Sequence, residues 1–192
     1  LRLENQEEIL KQYNRLIFMD EWNKYALGTI SAWEMEALCF YYHEHELKYV
    51  NRLKYGLSNF FDLSPEPEVD RTIKRNGKEI NLYKIKKICG TCIAKNKNKS
   101  TTTLLTIDGV VEVKFNRELF AMFDKQISAI GEDGVKHRVE SSWFNRGSMI
   151  VVQGIRTDNM FICKKYSSTP GHYIYKIDNV CGEDIKIRAV RA

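Results

Sequence analysis

The chain has 192 residues, 43% of them hydrophobic, which is enough for one good core or a small domain with a helical attachment. No run of about 18 apolar residues occurs and no secretory signal opens the chain, so neither membrane contact nor secretion is expected. Five irregularly spaced cysteines argue against a disulfide framework and favour reduced thiols in a cytoplasmic protein. The first residue is Leu rather than Met, which indicates a piece of a longer protein.

Positive charge is concentrated in one part of the sequence. The net charge of +5 divides into −6 for residues 1–70, +9 for residues 71–107 and +2 for residues 108–192. No Asp or Glu occurs between Ile80 and Ile107, whereas six lysines do. Such a stretch attracts phosphate backbones and makes binding depend on salt, although a solvated lysine surface has the same composition.

The first third of the chain predicts helices. Residues 4–18 place apolar side chains on one helical face, and glutamates occupy the first turns, where the helix dipole favours them. Ser31 and Glu34 match a capping box that would begin a second helix. That helix is predicted to continue into the Tyr41-Tyr42 pair.

A third helix is predicted over residues 47–54, ending at Gly56. Pro65 and Pro67 then mark a linker. Residues 1–64 are therefore predicted to form a helical segment that precedes a β-rich part.

The β-rich part begins with a hairpin about Asn76-Gly77, followed by three strands. These strands run from Tyr83 to about Ala94, from Thr101 to Ile107 and from Val110 to Phe115. Asp108-Gly109 supplies the tight turn between the last two. A helix over residues 116–128, a loop over residues 129–147 and strands over 149–155, 160–166, 173–180 and 185–190 complete the prediction.

A helix between the third and fourth of five strands is where an OB-fold places the helix that plugs its barrel. We therefore predict an α+β protein, with the N-terminal helical segment followed by a five-stranded OB-fold β-barrel over residues 69–180. Residues 181–192 form a C-terminal extension.

The loop over residues 95–99 is basic and polar, and a curled sheet with such a loop is typical of OB-folds that bind single-stranded nucleic acid. The predicted phosphate contacts are the loop lysines and, secondarily, three other cations: Lys95, Lys97, Lys99, Lys84, Lys86 and Arg75. Exposed aromatic rings stack on bases at about 1–3 kcal/mol each. Tyr83 and the Trp143-Phe144 pair adjoin polar sequence and are the predicted stacking surface, whereas Phe115 and Phe161 are assigned to the barrel core.

Two short motifs could suggest metal or redox chemistry. Cys89-Gly-Thr-Cys92 is a CxxC, but residues three apart on a strand point to opposite faces and no second CxxC or CxxH follows. His43 and His45 lack a clear third ligand. Nucleophile motifs, phosphate-binding loops and gathered carboxylates are also missing from the sequence. We therefore predict that this segment carries no catalytic residues, no metal site and no cofactor.

Several segments resemble the bacterial replicative DNA polymerase III alpha subunit, the C-family polymerase. Residues 34–47, EMEALCFYYHEHEL, match the family signature E-x-E-x-L-G-F-Y-x-S-G-H-P-L at seven positions and depart from it at four, among them Cys39 in place of Gly. Residues 105–115, LTIDGVVEVKF, resemble the L-x-D-x-x-G-x-x-E-V-x-x-F stretch of its OB domain, shortened at the turn. Residues 88–90 and 147–154 resemble two further OB strands, in the same order.

The resemblance implies a C-terminal portion of such a polymerase that holds or guides single-stranded template DNA during replication. The departures at Glu44 and Glu46 suggest a divergent, phage-encoded member. The resemblance also implies that the catalytic aspartates, Mg²⁺ and nucleotidyltransferase activity belong to upstream parts of the parent polymerase, through which other replisome subunits become partners. Two alternatives stay open: an OB domain for tRNA or other RNA, and a replisome protein-interaction module without DNA binding.

Overall fold

The computed structural model describes residues 2–25, 30–125, 127–130 and 136–189. The helices in these ranges are α1 (Arg2–Tyr25), α2 (Ile30–Ala37), α3 (Arg52–Tyr55) and α4 (Arg117–Phe123). The strands are β1 (Val69–Arg75), β2 (Lys78–Tyr83), β3 (Lys86–Asn96), β4 (Thr101–Thr106), β5 (Gly109–Lys114), β6 (Ile127–Ile130), β7 (Lys136–Glu140), β8 (Met149–Thr157), β9 (Met160–Cys163), β10 (Ile174–Cys181) and β11 (Asp184–Arg188). None of these helices has both the length and the apolar character needed to cross a membrane.

Five of these strands close into a barrel. β3, β4 and β5 pair antiparallel in chain order, and β8 pairs antiparallel with β3. β9 completes the ring because it pairs antiparallel with β8 and parallel with β5. α4 lies in the chain between the third and fourth barrel strands. This is the connectivity of an OB-fold, so the predicted α+β class with a five-stranded OB barrel is confirmed.

Barrel closure depends on a glycine in β8. Gly154 pairs with Lys86 of β3 on one side and with Cys163 of β9 on the other. A Cβ atom at Gly154 would collide with the carbonyl oxygen of Ile162 and lie 2.9 Å from a ring carbon of Phe161. Only glycine therefore allows the two neighbouring strands to approach β8 together.

Two clusters of buried side chains lie on the two sides of the barrel sheet. The larger one fills the barrel and includes Phe115 and Phe161, as predicted, together with the apolar face of α4. Trp143 and Phe144 also belong to it and are only 2% and 1% exposed, so their predicted surface position is wrong. The second cluster joins the N-terminal segment to the outside of the sheet through the side chains Leu47, Val50, Leu57, Cys89, Val151, Ile177 and Ile185.

The sheet continues beyond the barrel. β10 pairs with β8, and β11 pairs with β10, which agrees with the further strands predicted there. The domain bounds drawn at 1–64, 69–180 and 181–192 stay a prediction. The predicted loop over 129–147 is wrong in part, because β6 and β7, which overlap it, pair antiparallel with each other. α4 is correspondingly shorter than the predicted helix and ends at Phe123.

The β1–β2 hairpin turns at Asn76 and Gly77, both with positive φ (53° and 74°), as the sequence predicted. Tyr83 closes this hairpin instead of opening the barrel, and β3 begins only at Lys86. Between Tyr83 and Lys86 the chain passes from the hairpin to the barrel, and there the Lys84 amide donates to the Glu68 carbonyl at 2.9 Å.

The N-terminal segment differs most from the prediction. α2 ends at Ala37 and does not reach Tyr41, because the Glu34 carboxylate accepts hydrogen bonds from the amides of Tyr42 and His43 (3.0 and 2.9 Å) and holds the chain folded back. The predicted capping box is wrong, since Ser31 donates to the Glu44 carbonyl at 2.9 Å.

The predicted third helix shrinks to the single turn of α3. Gly56 ends it in the left-handed conformation, with φ of 64°, as predicted.

Candidate nucleic-acid interface

The β3–β4 loop is shorter than the predicted loop over residues 95–99, because β3 continues through Lys95 to Asn96. The Asn96 side chain accepts a hydrogen bond from the Lys99 amide at 3.1 Å, and Ser100 turns the chain with a φ of 53°. Lys97 and Lys99 are exposed, whereas Lys95 is half-buried. The three predicted loop lysines are thus not equivalent.

Asp124, at the C-terminus of α4, holds two of the loop lysines. Its carboxylate accepts from Lys95 at 2.6 Å, and its second oxygen is 3.2 Å from the Lys97 ammonium. The Ser142 hydroxyl donates to the same carboxylate at 2.7 Å, and the Lys95 ammonium also reaches Ser142 and Asn145 at 3.3 and 3.2 Å. Burial opposes ionisation of Asp124, yet the hydrogen bonds from its partners outweigh burial and hold the pKa of this carboxyl below its ordinary value.

The degree of exposure separates the two lysines. The Lys95 side chain is 27% exposed and Asp124 9%, so this pair belongs to the structure of the barrel end. The Lys97 side chain is 72% exposed, and its pairing with Asp124 is a surface ion pair that solvent screens. Lys97 can therefore exchange Asp124 for a phosphate with little loss, whereas Lys95 cannot.

A second group of basic side chains surrounds the start of β3. They line a cleft of about 510 Å³ between the β1–β2 hairpin and the segment that follows β9. Its polar and aromatic lining includes Arg71, Tyr83, Lys84, Lys86, Tyr166 and Ser168. We refer to this pocket as the hairpin cleft.

Lys164 joins the two tyrosines of the hairpin cleft. Its ammonium lies 5.4 Å from the ring centroid of Tyr83 and 5.3 Å from that of Tyr166. The Tyr83 backbone amide donates to the Tyr166 hydroxyl at 3.0 Å, which holds the Tyr166 side chain against the end of β2. The arrangement is a pair of cation–π contacts beside the hairpin cleft, whose lining includes both tyrosines but not Lys164.

Ion pairs and hydrogen bonds close the walls of the hairpin cleft. The Arg71 guanidinium donates to the Ser168 hydroxyl at 2.9 Å and ties the hairpin to the barrel. Lys84 lies 3.1 Å from the Glu68 carboxylate, and this contact lowers the pKa of Glu68. Lys84 is thus partly neutralised.

The predicted binding residues lie in two separate regions, one around the β3–β4 loop and one at the hairpin cleft. Lys95 lies at the end of β3, Lys97 and Lys99 lie in the β3–β4 loop, and Lys84, Lys86 and Tyr83 line the hairpin cleft. The Arg75 side chain lies outside the part of the chain that the structure describes. Trp143 lies in the barrel core with the Arg188 guanidinium 5.9 Å from its ring, so no base can stack on it there.

Sequence reasoning missed Asp124, Arg71 and Lys164. The run Lys164-Lys165-Tyr166, at the end of the strand predicted over residues 160–166, is a basic–aromatic signal that could have pointed to the hairpin cleft. Asp124 gave no such signal, because it is brought to the loop only by the folded barrel.

The cysteine and histidine motifs form no metal centre. Cys89 and Cys92 lie in different buried clusters, and burial raises their pKa values to about 11 and about 12, so both thiols are neutral. His43 pairs with Glu34, and the His45 ring contacts the Leu105 carbonyl oxygen at 2.9 Å. Across the described ranges, no three His, Cys, Asp or Glu side chains gather as metal ligands.

Comparison with known proteins finds relatives of this chain among DNA polymerases. Over 178 residues, or 92% of its length, the chain is 40% identical to the probable DNA polymerase YorL of Bacillus subtilis (strain 168). It has the same identity and coverage with the DNA-directed DNA polymerase of Bacillus phage SPbeta. The chain is a relative of a DNA polymerase segment.

The chain spans 14% of the length of each of these relatives. No family model matches the sequence, and no solved structure matches it either. The predicted resemblance to a DNA polymerase is confirmed, while the alpha-subunit type of bacterial polymerase III stays a prediction.

Proposed function

We propose that this OB barrel binds single-stranded DNA, with little sequence preference, as part of a replicative polymerase of the DNA polymerase III alpha type. The observation that carries the proposal is the closed OB barrel in a chain 40% identical to DNA polymerases. The net charge of +9 over residues 71–107 supports it, because basic grooves follow the phosphate backbone of a single strand. Mg²⁺ and other replisome subunits belong to the same proposal for the parent polymerase.

In this proposal the β3–β4 loop supplies phosphate contacts. Lys99 is exposed and can pair with a phosphate directly, and Lys97, also exposed, does so by leaving its solvent-screened contact with Asp124. Lys95 contributes only when it leaves Asp124, so the carboxylate acts as an intramolecular competitor for the DNA. The loop therefore offers about two full contacts and one partial one.

Fluorescence anisotropy with a labelled oligo-dT of about 20 nucleotides tests this function directly. Replacing Lys95, Lys97 and Lys99 with Ala should weaken binding and reduce the slope of log K against log salt by about 1.5 to 2, since each single-strand contact contributes about 0.7. A control with the same charge loss replaces three exposed lysines elsewhere: Lys48, Lys54 and Lys186. Equal effects of the two triple variants would remove the loop from the proposal.

Two other functions are separated by the same assay. An RNA-binding barrel would release oligo-dT when tRNA is added at equal nucleotide concentration. A protein-interaction module is favoured by α1, whose apolar residues Ile9, Tyr13 and Leu16 are more than half exposed in the described chain. Salt-insensitive binding to another polymerase subunit, with no affinity for oligo-dT, would establish that function instead.

A further inference from the structure

We infer that the hairpin cleft is a nucleotide subsite, in which a base stacks on Tyr83 and Tyr166 while the Lys164 ammonium pairs with the adjoining phosphate. This inference rests on the proposed function and adds a second contact region, separate from the β3–β4 loop. It concerns the two rings and the ammonium that lies 5.3 to 5.4 Å from both centroids.

The binding step is an exchange of partners. Without DNA, the Lys164 ammonium lies over both tyrosine rings. An incoming base takes the ring face, and the displaced ammonium pairs with the phosphate of the same nucleotide. The exchange replaces the cation–π contacts of these half-buried residues with base stacking, and the displaced ammonium gains a phosphate partner, so both groups keep a favourable contact.

The size of the cleft suits one nucleotide. Its volume of about 510 Å³ lies within the range of about 300 to 1,000 Å³ typical of pockets for small organic ligands. The lining combines tyrosine rings with hydroxyl groups and cations, which are the groups that bind a base, a sugar and a phosphate respectively.

The charge balance favours an anion. Four cationic side chains, Arg71, Lys84, Lys86 and Lys164, lie on or beside the hairpin cleft. Two carboxylates oppose them: Asp70 in the lining, and Glu68, which pairs with Lys84 at 3.1 Å. The remaining positive charge lies next to the two rings, where the phosphate of a stacked nucleotide would be.

The position of the hairpin supports a ligand-binding role. Among the described strands, β1 and β2 pair with each other and with no other strand, so the barrel closes without them. The hairpin is nevertheless fixed against the segment after β9 through Arg71 and Ser168 and through Tyr83 and Tyr166. These contacts create a walled cleft that the barrel alone does not have.

Photo-crosslinking tests the inference on the whole chain. An oligo-dT that carries one 5-iododeoxyuridine is irradiated with the protein, and the crosslinked peptide is identified by mass spectrometry. The inference predicts crosslinks at Tyr83 or Tyr166, because this base analogue reacts with an aromatic ring in stacking contact.

Affinity measurements separate stacking from the placement of the hairpin. Tyr166→Leu should weaken oligo-dT binding about tenfold, within the range for one lost stacking contact. Tyr166→Phe removes the hydroxyl that accepts from Tyr83 but keeps the ring, so its affinity should stay within about twofold of the wild type. Tyr42→Leu, at an 80% exposed tyrosine elsewhere, is the matched control and should have no effect.

The outcomes distinguish this inference from the proposed function. Tight, salt-dependent oligo-dT binding with crosslinks only outside the hairpin cleft overturns the inference and leaves DNA binding intact. An equal loss in Tyr166→Phe and Tyr166→Leu also overturns it, because the hydrogen bond and not the ring would then matter. If the wild-type chain binds no oligo-dT, the proposed function fails and this inference fails with it.

Discussion

Asp124 couples the stability of the barrel to the availability of its loop lysines. Asp124→Asn keeps the size of the side chain but removes the charge that pairs with Lys95 and Lys97. Most of the loss comes from Lys95, because this side chain is only 27% exposed and would be left without its anion. Lys97 adds little, since its ion pair is exposed to solvent.

The expected loss of stability follows from these exposures. Losing a charged hydrogen bond at a partly buried site costs about 1 to 2 kcal/mol, which lowers the melting temperature by about 2 to 8 °C in a chain of this size. Because the pKa of Asp124 is lowered in the folded state, its contribution is present above the ordinary carboxyl pKa and is lost as pH falls through the lowered value. The deficit of the Asn variant should therefore be full at neutral pH and shrink in acid.

The same substitution should strengthen DNA binding. At about 0.1 M salt, each lysine released to a phosphate raises affinity about fivefold and steepens the salt slope by about 0.7. Glu118→Gln removes one negative charge from the exposed first turn of α4 and serves as the control for net charge alone. The reasoning is refuted if Asp124→Asn and Glu118→Gln raise oligo-dT affinity equally in anisotropy, or if Asp124→Asn leaves the melting temperature unchanged.

Three further predictions concern the stability of the fold. Gly154→Ala should separate β8 from β9 and lower the melting temperature strongly, because the new Cβ would collide with β9. Gly77→Ala should lower it far less, since its Cβ meets nothing within 4 Å and its positive φ costs only about 1 kcal/mol. Cys39 has a φ of 67°, which glycine adopts more readily than cysteine. Chemical denaturation should therefore find Cys39→Gly neutral or more stable by up to about 1 kcal/mol. A stabilising Cys39→Val would contradict this assignment of backbone strain. Burial lowers the pKa of His45 below its ordinary value near 6.5, so stability should fall as pH drops below about 6.5. His45→Gln should remove that fall between about pH 7 and 5, and a His45 proton resonance titrating above 6.5 would exclude this cause.

Local patterns were sufficient to predict the barrel. Strands β3, β4 and β5 alternate or run apolar between clear turn residues, and Asp108-Gly109 fixes the register of the last two. A helix after β5 and a strand pair about residues 157–159 complete the OB order. Each of these signals lies within a few residues of the element that it predicts.

The errors arose where distant residues decide the structure. α2 ends because the Glu34 side chain binds amides eight and nine residues later, which helical periodicity does not register. Trp143 adjoins polar residues, a pattern that predicts exposure, yet its neighbour Ser142 is buried and Asn145 is half-buried. Ser142 donates to Asp124, and Asn145 accepts from Lys95, so polar sequence here indicates an internal network and not a surface.

In the candidate interface, too, some features could be predicted from local sequence and others could not. The lysines of the β3–β4 loop could be found from the sequence because the loop lies between two strong strand patterns. Their pairing with Asp124 could not, since it requires α4 to cover the barrel end. The hairpin cleft likewise needs Tyr83 and Tyr166, which are 83 residues apart, to meet through a hydrogen bond.

The salt dependence of oligo-dT binding by the unmodified chain is the most direct test of the account. With two full loop contacts and further ones in the hairpin cleft, log K should fall against log salt with a slope of about −2 to −3, over about 50 to 300 mM salt. Binding of this kind would establish that the barrel holds single-stranded DNA through its basic side chains. An affinity that does not change with salt, or no binding at about 50 mM salt, would contradict it.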